Sequence, residues 1–566
     1  MQIFGDGAGE VIALGERDCS LQRRHQKVIE ETPAPNLPAA TRKALHEAAE
    51  RLGRSVAYRS AGTVEFLFDA DTGAFHFLEV NTRLQVEHGV TEAVTGIDLV
   101  AWMLSAAAGE LDRLGERRPG PPDGHAIQAR VYAEDPGKDF QPATGLITEA
   151  VLPADCRVDN WIERGIEVTP YYDPMLAKVI VHAGERDTAL TRLGAALDSM
   201  RIDGVVTNLD YLRAVTRMPA LVAGQAVTRS LADFRHDTAR IDVISAGTLT
   251  TVQDWPGRVG YWDIGVPPSG PMDSLAFRLG NRLLGNAETA SGLEITAQGP
   301  TLRFSYTTRA VLTGATMRAT CGEREVPAWT VFTVNAGETL RIGGVSGAGI
   351  RAYLLVQGGL DVPLHMGSRA TFTLGQLGGH GGRALTAGDV LTPGPATAAP
   401  TTPLTAPGQC VPEAIIPSMN GHWTLRAMSG PHGAPDFFTP ADIEAFFSTD
   451  WEVHYNSSRT GVRLIGPKPD WAREDGGEAG LHPSNIHDNA YAIGSVDFTG
   501  DMPVILGPDG PSLGGFVCPA TVVRAERWKL GQLGAGDKVR FVPVSLASAR
   551  ALEERQLAQL ESLAAL

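Results

Sequence analysis

The sequence predicts a multidomain chain, mixed α/β over residues 1–236 and β-rich over 243–545, followed by a short helical tail. Three observations carry this. At 566 residues the chain exceeds a single core, since domains run to about 100–200 residues. In the first part, helical spacing such as Leu190, Leu193, Ala196 and Leu197 alternates with short strand patterns. Beyond residue 243, Gly, Pro, Thr and Val are dense and helical stretches few, the composition of β-barrels.

Taken in order, Ile3, Val11 and Leu14 around a Gly-Asp-Gly turn predict a hairpin. No cationic stretch and apolar run mark it as a secretory signal, and a chain that begins inside a hairpin reads as cut. Leu99–Ala108 is apolar between Asp98 and Glu110 and far short of the roughly 20 residues that span a bilayer, so a core helix is predicted. RRPGPPDG at 117–124 breaks the chain, and the Ser230–Asp242 region closes the first part. In the β-rich part, Met272–Leu284 and Ala441–Phe447 read as short helices. TPGPATAAPTTPLTAPG at 392–408 reads as a linker-like insert. Leu552, Leu557, Leu560 and Leu563 give the tail loose helical spacing. The domains expected are 1–116, 117–236 and 243–545, with the tail at 546–566.

A formal charge of -16 argues against nucleic acid or anionic membrane as partner, because both reward clustered Lys and Arg. Cys19, Cys156, Cys321, Cys410 and Cys518 are scattered without a CxxC pair, which predicts a reduced, cytoplasmic setting.

The most informative local feature is TVEFLFDADTGAFHFLEVN, residues 63–81. Two β-prone runs flank a turn. If Asp69 faces Phe75, then Glu65 faces Glu79, and Asn81 points to the same side two residues on. Directly opposed carboxylates repel in a sheet. A hard divalent cation such as magnesium, held by carboxylate and amide oxygens, would remove the repulsion; the alternative is that the two glutamates diverge into water. TRLQVEH at 82–88 follows at once, where an Arg fork could hold a small oxyanion and a Glu take its proton, or the charges could simply decorate a surface.

ERDCSLQRRHQKVIEE at 16–31, GTVEF at 62–66, FLEVNTRLQVEHGVTEAVTGIDL at 77–99, ARVYAEDP at 129–136 and YYDPMLAKVI at 171–180 resemble the biotin carboxylase of biotin-dependent carboxylases, continuously over about 1–236. The resemblance implies the C-terminal part of an ATP-grasp fold plus a biotin carboxylase C-terminal domain, which activates bicarbonate with ATP and carboxylates biotin. It implies Glu65, Glu79 and Asn81 as ligands of Mg2+ (or Mn2+), and Gln22 and His25 as nucleotide-site residues. It further implies Lys27, Arg83, Gln85 and Val86 as the bicarbonate pocket, Glu87 as the base, and Arg130 as the cation that stabilises the biotin enolate. The family's nucleotide-like N-terminal domain, phosphate-binding lysines and glycine-rich lid cannot be placed in the sequence, so no appreciable ATP turnover by this chain alone is expected. An ATP-grasp domain cut in this way should expose a sheet edge and aggregate. GGHGGR at 378–383 lies far from the metal residues and is not read as a phosphate loop.

The second part, about 243–545, resembles the KipA-like, or allophanate hydrolase subunit 2-like, family. It does so through TTVQDWPGRVGYWDIGVPPSGPMDSLAFRLGNRLLGN at 250–286, LEITAQGPTLRF at 293–304 and GGEAGLHPSNIHDNAYAIGSVDFTGDMPVILGPDGPSLGGFVCPAT at 476–521. This implies a cyclophilin-like barrel carboxyltransferase module, in the version associated with urea carboxylases. Candidate residues here are Gln253, Asp254, Arg258, Asp273, His482, Asn485, His487, Asp488, Asp501 and Asp509, each of which could instead be a turn residue bonding its own backbone. The two His and an Asp of HPSNIHD lack a third ordered ligand.

Together the resemblances imply part of a ligase that carboxylates urea to allophanate using ATP, magnesium, bicarbonate and biotin. The biotin would be borne on a carrier domain outside this sequence, with a KipI-like partner module. Two other readings are a non-catalytic remnant serving assembly or binding, and a component resembling the subunits of 5-oxoprolinase. No nucleic acid or membrane partner is expected, and oligomers are possible.

Overall fold

A computed structural model describes residues 1–111, 113–236, 238–394, 406–474 and 476–563. They form two compact units, 1–238 and 239–566.

The first unit opens on the expected hairpin, β1 (Gln2–Asp6) and β2 (Val11–Gly15). Next come β3 (Asp18–Arg23), β4 (Gln26–Thr32), α1 (Ala39–Ser55), β5 (Arg59–Phe68), β6 (Phe75–Asn81), α2 (His88–Thr95) and α3 (Leu99–Ala108). One sheet runs β2-β1-β5-β6. After β7 (His125–Tyr132), β8 (Arg157–Asn160) and β9 (Met175–Ala183), a second sheet runs β8-β9-β7-β4-β3, backed by α4 (Arg186–Ser199). Alternation along a strand divides this sheet's faces. Ile127, Ala129, Val131, Val179 and Val181 pack with Leu190, Leu193 and Leu197 of α4. On the opposite face Ala126 and Ile180 meet Val90 and Val94 of α2, and the same face carries Gln128, Arg130 and Lys178.

Two expectations change. Leu99–Ala108 is a helix, but not a core one: only Leu99 and Ala106 are buried, and Val100 and Leu104 are 45% and 68% exposed. Its inner stripe, including Trp102 edge-on to Phe4, is all that a surface helix needs to bury. No single helix among the described residues is long and apolar enough to cross a membrane.

The register of the 63–81 hairpin also differs at its tip. Phe68, not Asp69, pairs with Phe75. Asp69 closes the turn, its N–H donating to the Ala74 carbonyl at 2.8 Å and its carboxylate accepting from Asp71 and Thr72 N–H at 2.9 and 3.2 Å. A bulge between Glu65 and Phe66 absorbs one residue of β6, so Glu65 still pairs with Glu79.

The second unit holds a six-stranded sheet, a five-stranded sheet and a closed barrel of seven strands. In the barrel strand His422–Ser429, Trp423, Leu425 and Ala427 alternate inward. Both expected helices form, as Ser274–Leu283 and Pro440–Ser448. The tail is a helix over Leu546–Ser562 anchored by Leu560 and Leu563, tighter than its spacing suggested. Most of the 392–408 insert, 395–405, lies outside the described residues. Glycines 378–383 serve close packing: at Gly379 (φ 55°) a Cβ would lie 1.9 Å from Thr371 Oγ1.

Candidate functional site

The first unit brings residues from five elements to one place. Glu65 and Glu79, adjacent in register, are bridged by Asn81, whose Nδ2 donates to Glu65 Oε1 at 3.2 Å and Glu79 Oε1 at 2.9 Å. Glu79 is nonetheless exposed to solvent, and the two glutamates are linked only through the Asn81 amide among the described residues. Two carboxylates and an amide are oxygen donors suited to a hard divalent cation, once the amide turns its oxygen inward. Among the described residues no three His, Cys, Asp or Glu side chains converge as a metal site, so the remaining ligands would be water or phosphate.

Beside this pair lies a buried ion cluster. Lys27 Nζ bonds Glu65 Oε1 at 3.0 Å and Glu87 Oε1 at 2.6 Å. Arg130 Nη2 bonds the other Glu87 oxygen at 2.8 Å, and its Nε bonds Glu30 Oε1 at 2.6 Å. Glu87 is 2% exposed. Burial by itself would raise its pKa, but the cations Arg17, Lys27 and Arg130 outweigh it and hold the carboxyl down to about 2. Against burial, the neighbouring Cys19, Glu87 and Glu65 hold the Lys27 ammonium above its ordinary range.

Gln85 donates to Glu65 Oε1 at 2.9 Å and accepts from Arg17 at 3.2 Å. Arg83 is exposed and, among the described residues, bonds only the Leu84 carbonyl, at 3.4 Å. Val86 stands half-buried at the foot of α2. Gln22 pairs in register with Lys27, its amide on the Cys19 carbonyl at 2.8 Å, and His25 sits exposed in the β3–β4 turn with φ 66°.

Sequence reasoning missed three members. Arg17 donates to four neutral acceptors, Gln2, Thr63, Gln85 and Thr91, tying β1, β5 and α2 to the site. Glu30 shares Arg130, and Lys178 faces Arg130 across β9 and β7. A charged residue inside an apolar strand, as in MLAKVIVHA, was the available signal.

In the second unit the candidates separate. Gln253 donates to Thr251 Oγ1 and the Thr371 carbonyl. Asp254 accepts from Ser368 Oγ at 2.6 Å and Arg369 N–H at 2.8 Å. Arg258 donates to the His365 and Ala370 carbonyls. Asp273 caps the helix Ser274–Leu283 and accepts from Gln532. Asp509 takes both ends of the Arg459 fork. All five are buried. His482 bridges Ser484 and Asp501, and Asp501 also accepts from Trp471 and pairs with Lys468. Asn485, His487 and Asp488 lie on the strand Asn485–Ala490, with His487 and Asp488 exposed.

Comparison with known proteins places these parts. Residues 1–114 match the carbamoyl-phosphate synthase L chain ATP binding domain, 128–233 the biotin carboxylase C-terminal domain, and 264–543 the carboxyltransferase domain, subdomain A and B. The chain thus joins an ATP-grasp-type biotin carboxylase portion to a carboxyltransferase domain. Over its whole length it is 49% identical to the urea amidolyase of Saccharomyces cerevisiae, and over 96% of it 46% identical to a putative urea carboxylase of Emericella nidulans. The crystal structure of Kluyveromyces lactis urea carboxylase superposes on 99% of the chain with a TM-score of 0.90 at 49% identity. The chain is a homologue of the urea amidolyases and urea carboxylases, spanning 31% of the yeast amidolyase, 44% of the Emericella protein and half of the crystallised carboxylase.

Proposed function

We propose that this chain contributes the metal and bicarbonate half of a biotin carboxylase site, and a cyclophilin-like carboxyltransferase module, to the ATP-dependent carboxylation of urea to allophanate. The observation that carries it is the convergence of Glu65, Glu79 and Asn81 with the Lys27–Glu87–Arg130 cluster. Bound magnesium nucleotide supplies the phosphoryl group that activates bicarbonate. Glu65, Glu79 and Asn81 hold the cation, and Gln22 and His25 stand on the nucleotide side.

Lys27, Arg83, Gln85 and the Val86 N–H bind bicarbonate, and Glu87 takes its proton. At neutral pH Glu87 carries the charge a base requires. An arriving anion competes for Lys27 and Arg130, which raises the proton affinity of Glu87 at the moment it is needed. Arg130, fixed by Glu30, then offers a preorganised positive charge to an oxyanion formed on the carboxyl acceptor. In the second unit, Asn485, His487 and Asp488 are the candidates a ligand can reach, with His482 and Asp501 behind them. Gln253, Asp254, Arg258 and Asp273 position backbone, and Asp509 holds the Arg459 side chain. A biotin carrier domain and a KipI-like module are the partners this reading requires.

The test is reconstitution of the chain with the remaining segments of a urea carboxylase, including a biotinylated carrier. Allophanate formation that needs urea and bicarbonate, and falls at least about 100-fold in Glu87→Gln, is expected, a typical general-base contribution. Turnover with 5-oxoproline but not urea would favour the 5-oxoprolinase-like component, and none with either would leave an assembly role.

A further inference from the structure

Behind residues 83–87, a ring of polar side chains grips two successive peptide groups. The Gln85 carbonyl accepts from the His88 backbone N–H at 3.2 Å and from His88 Nδ1 at 2.8 Å. The next carbonyl, of Val86, accepts from Lys178 Nζ at 3.2 Å. The two anchors are themselves connected. Lys178 pairs with Asp159 at 2.9 Å, and Arg157 holds Asp159 by two bonds of 2.9 and 3.1 Å. Arg157 also pairs with Glu92 at 2.7 Å, and Glu92 lies one turn from His88 on α2, 3.8 Å from its Nε2. Asp159, Lys178 and Arg130 stand in one row across β8, β9 and β7, so the ring is built on the strands that carry the ion cluster.

A trans peptide points its N–H opposite its C=O. Drawing both carbonyls toward the ring turns the Val86 and Glu87 N–H groups to the other side, where neither meets a backbone acceptor among the described residues. Buried or half-buried N–H groups ordinarily have partners. Two adjacent ones left open, the second on a residue whose side chain pairs with Lys27 at 2.6 Å, make an anion seat whose aim depends on the carbonyls behind it.

We propose that Lys178 and His88 are positioning residues for bicarbonate: by fixing the Gln85 and Val86 carbonyls they aim the Val86 N–H at a bicarbonate oxygen. This rests on the reading that residues 83–87 bind bicarbonate. Neither side chain touches the anion, so the effect lies in affinity and not in chemistry.

The test is titration of the 566-residue chain with [13C]bicarbonate, followed by 13C line broadening, alongside thermal unfolding. Lys178→Met and His88→Ala are expected to weaken bicarbonate about tenfold, the order of one hydrogen bond to an ion. Lys178→Arg and His88→Gln, which keep a donor for each carbonyl, recover most of it. A merely structural role would lower the unfolding temperature and leave the affinity of the folded protein unchanged. Should Lys178→Met fail to fold, Asp159→Asn loosens the same lysine and should weaken bicarbonate severalfold. Wild-type binding with all variants within twofold overturns the positioning role and leaves the proposed site standing. Absence of wild-type binding overturns both.

Discussion

Asp497 sits in a barrel strand, Ser495–Thr499, with one carboxylate oxygen lacking any hydrogen-bond partner. Burial pushes its pKa up to about 7. A carboxyl raised in the folded state binds its proton there while the unfolded chain, near pKa 4, has released it. Its stabilisation is therefore complete below pH of about 4 and is lost as pH rises through about 7. Asp497→Asn keeps shape and removes the titration. The expected result is a variant that gains about 1 kcal/mol on wild type between pH 6 and 8, read from denaturant unfolding at each pH. A constant difference would show that Asp497 is ionised throughout. Glu87 is the opposite case: equally buried, it is kept charged by Arg17, Lys27 and Arg130.

Among the strands of its sheet, β6 is the most exposed. It forms an edge of its sheet, and Phe77, Leu78 and Val80 are 54%, 53% and 38% exposed, with Leu67 of β5 at 52%. Cross-strand pairing puts Phe77 and Val80 on the face of Phe66 and Val64, and Leu67 on the other, so both sides of the hairpin present apolar surface beside the edge's unpaired backbone groups. That combination favours strand-to-strand association. Replacing Phe77 and Leu78 by Lys and Thr should suppress concentration-dependent light scattering with little change in unfolding temperature. Unchanged scattering would place the association elsewhere. Glu79 and Asn81, the proposed cation ligands, share this strand, so an occupant of the edge would bear directly on them.

At the scale of the second unit, a buried polar seam joins the five-stranded sheet to the barrel. Arg459 bonds Glu294 at 2.6 Å, Asp509 at 2.8 Å and the Gly270 carbonyl at 2.8 Å. Arg351 reaches the Gly531 carbonyl, and Gln532 spans Asp273 and the Arg351 backbone. Glu294 is 1% exposed, and its pKa is held low by Arg459 and Arg351 in spite of burial. Arg459→Met would strand the buried Asp509 carboxylate and leave Glu294 with Arg351 as its one cation among the described residues, a loss of about 3–5 kcal/mol, measurable by tryptophan fluorescence during denaturant unfolding. Asp509→Asn added to it should restore part. A loss below about 1 kcal/mol would mean that water enters the seam.

Much of this was legible along the chain because it depends on near neighbours. Alternation placed the strands, spacing placed the helices at Ser274–Leu283 and Pro440–Ser448, and the two runs of the 63–81 hairpin brought Glu65 opposite Glu79. The motif strings led to Lys27, Glu87 and Arg130. Three things needed the tertiary structure. The bulge that corrects the hairpin register compensates a turn set by Asp69, and nothing in local propensity fixes it. The exposure of Leu104 depends on how much of α3 its sheet has room to cover. The ring from His88 to Lys178 joins residues 90 positions apart in sequence, and the Glu30–Arg130 pair residues 100 apart. Such contacts form only when β-strands distant in the chain come into register, which no local pattern specifies. The sequence by itself determined which residues carry charge and on which strands they lie. The fold decided which charges meet, and so which are ionised, which are anchors and which are free to bind.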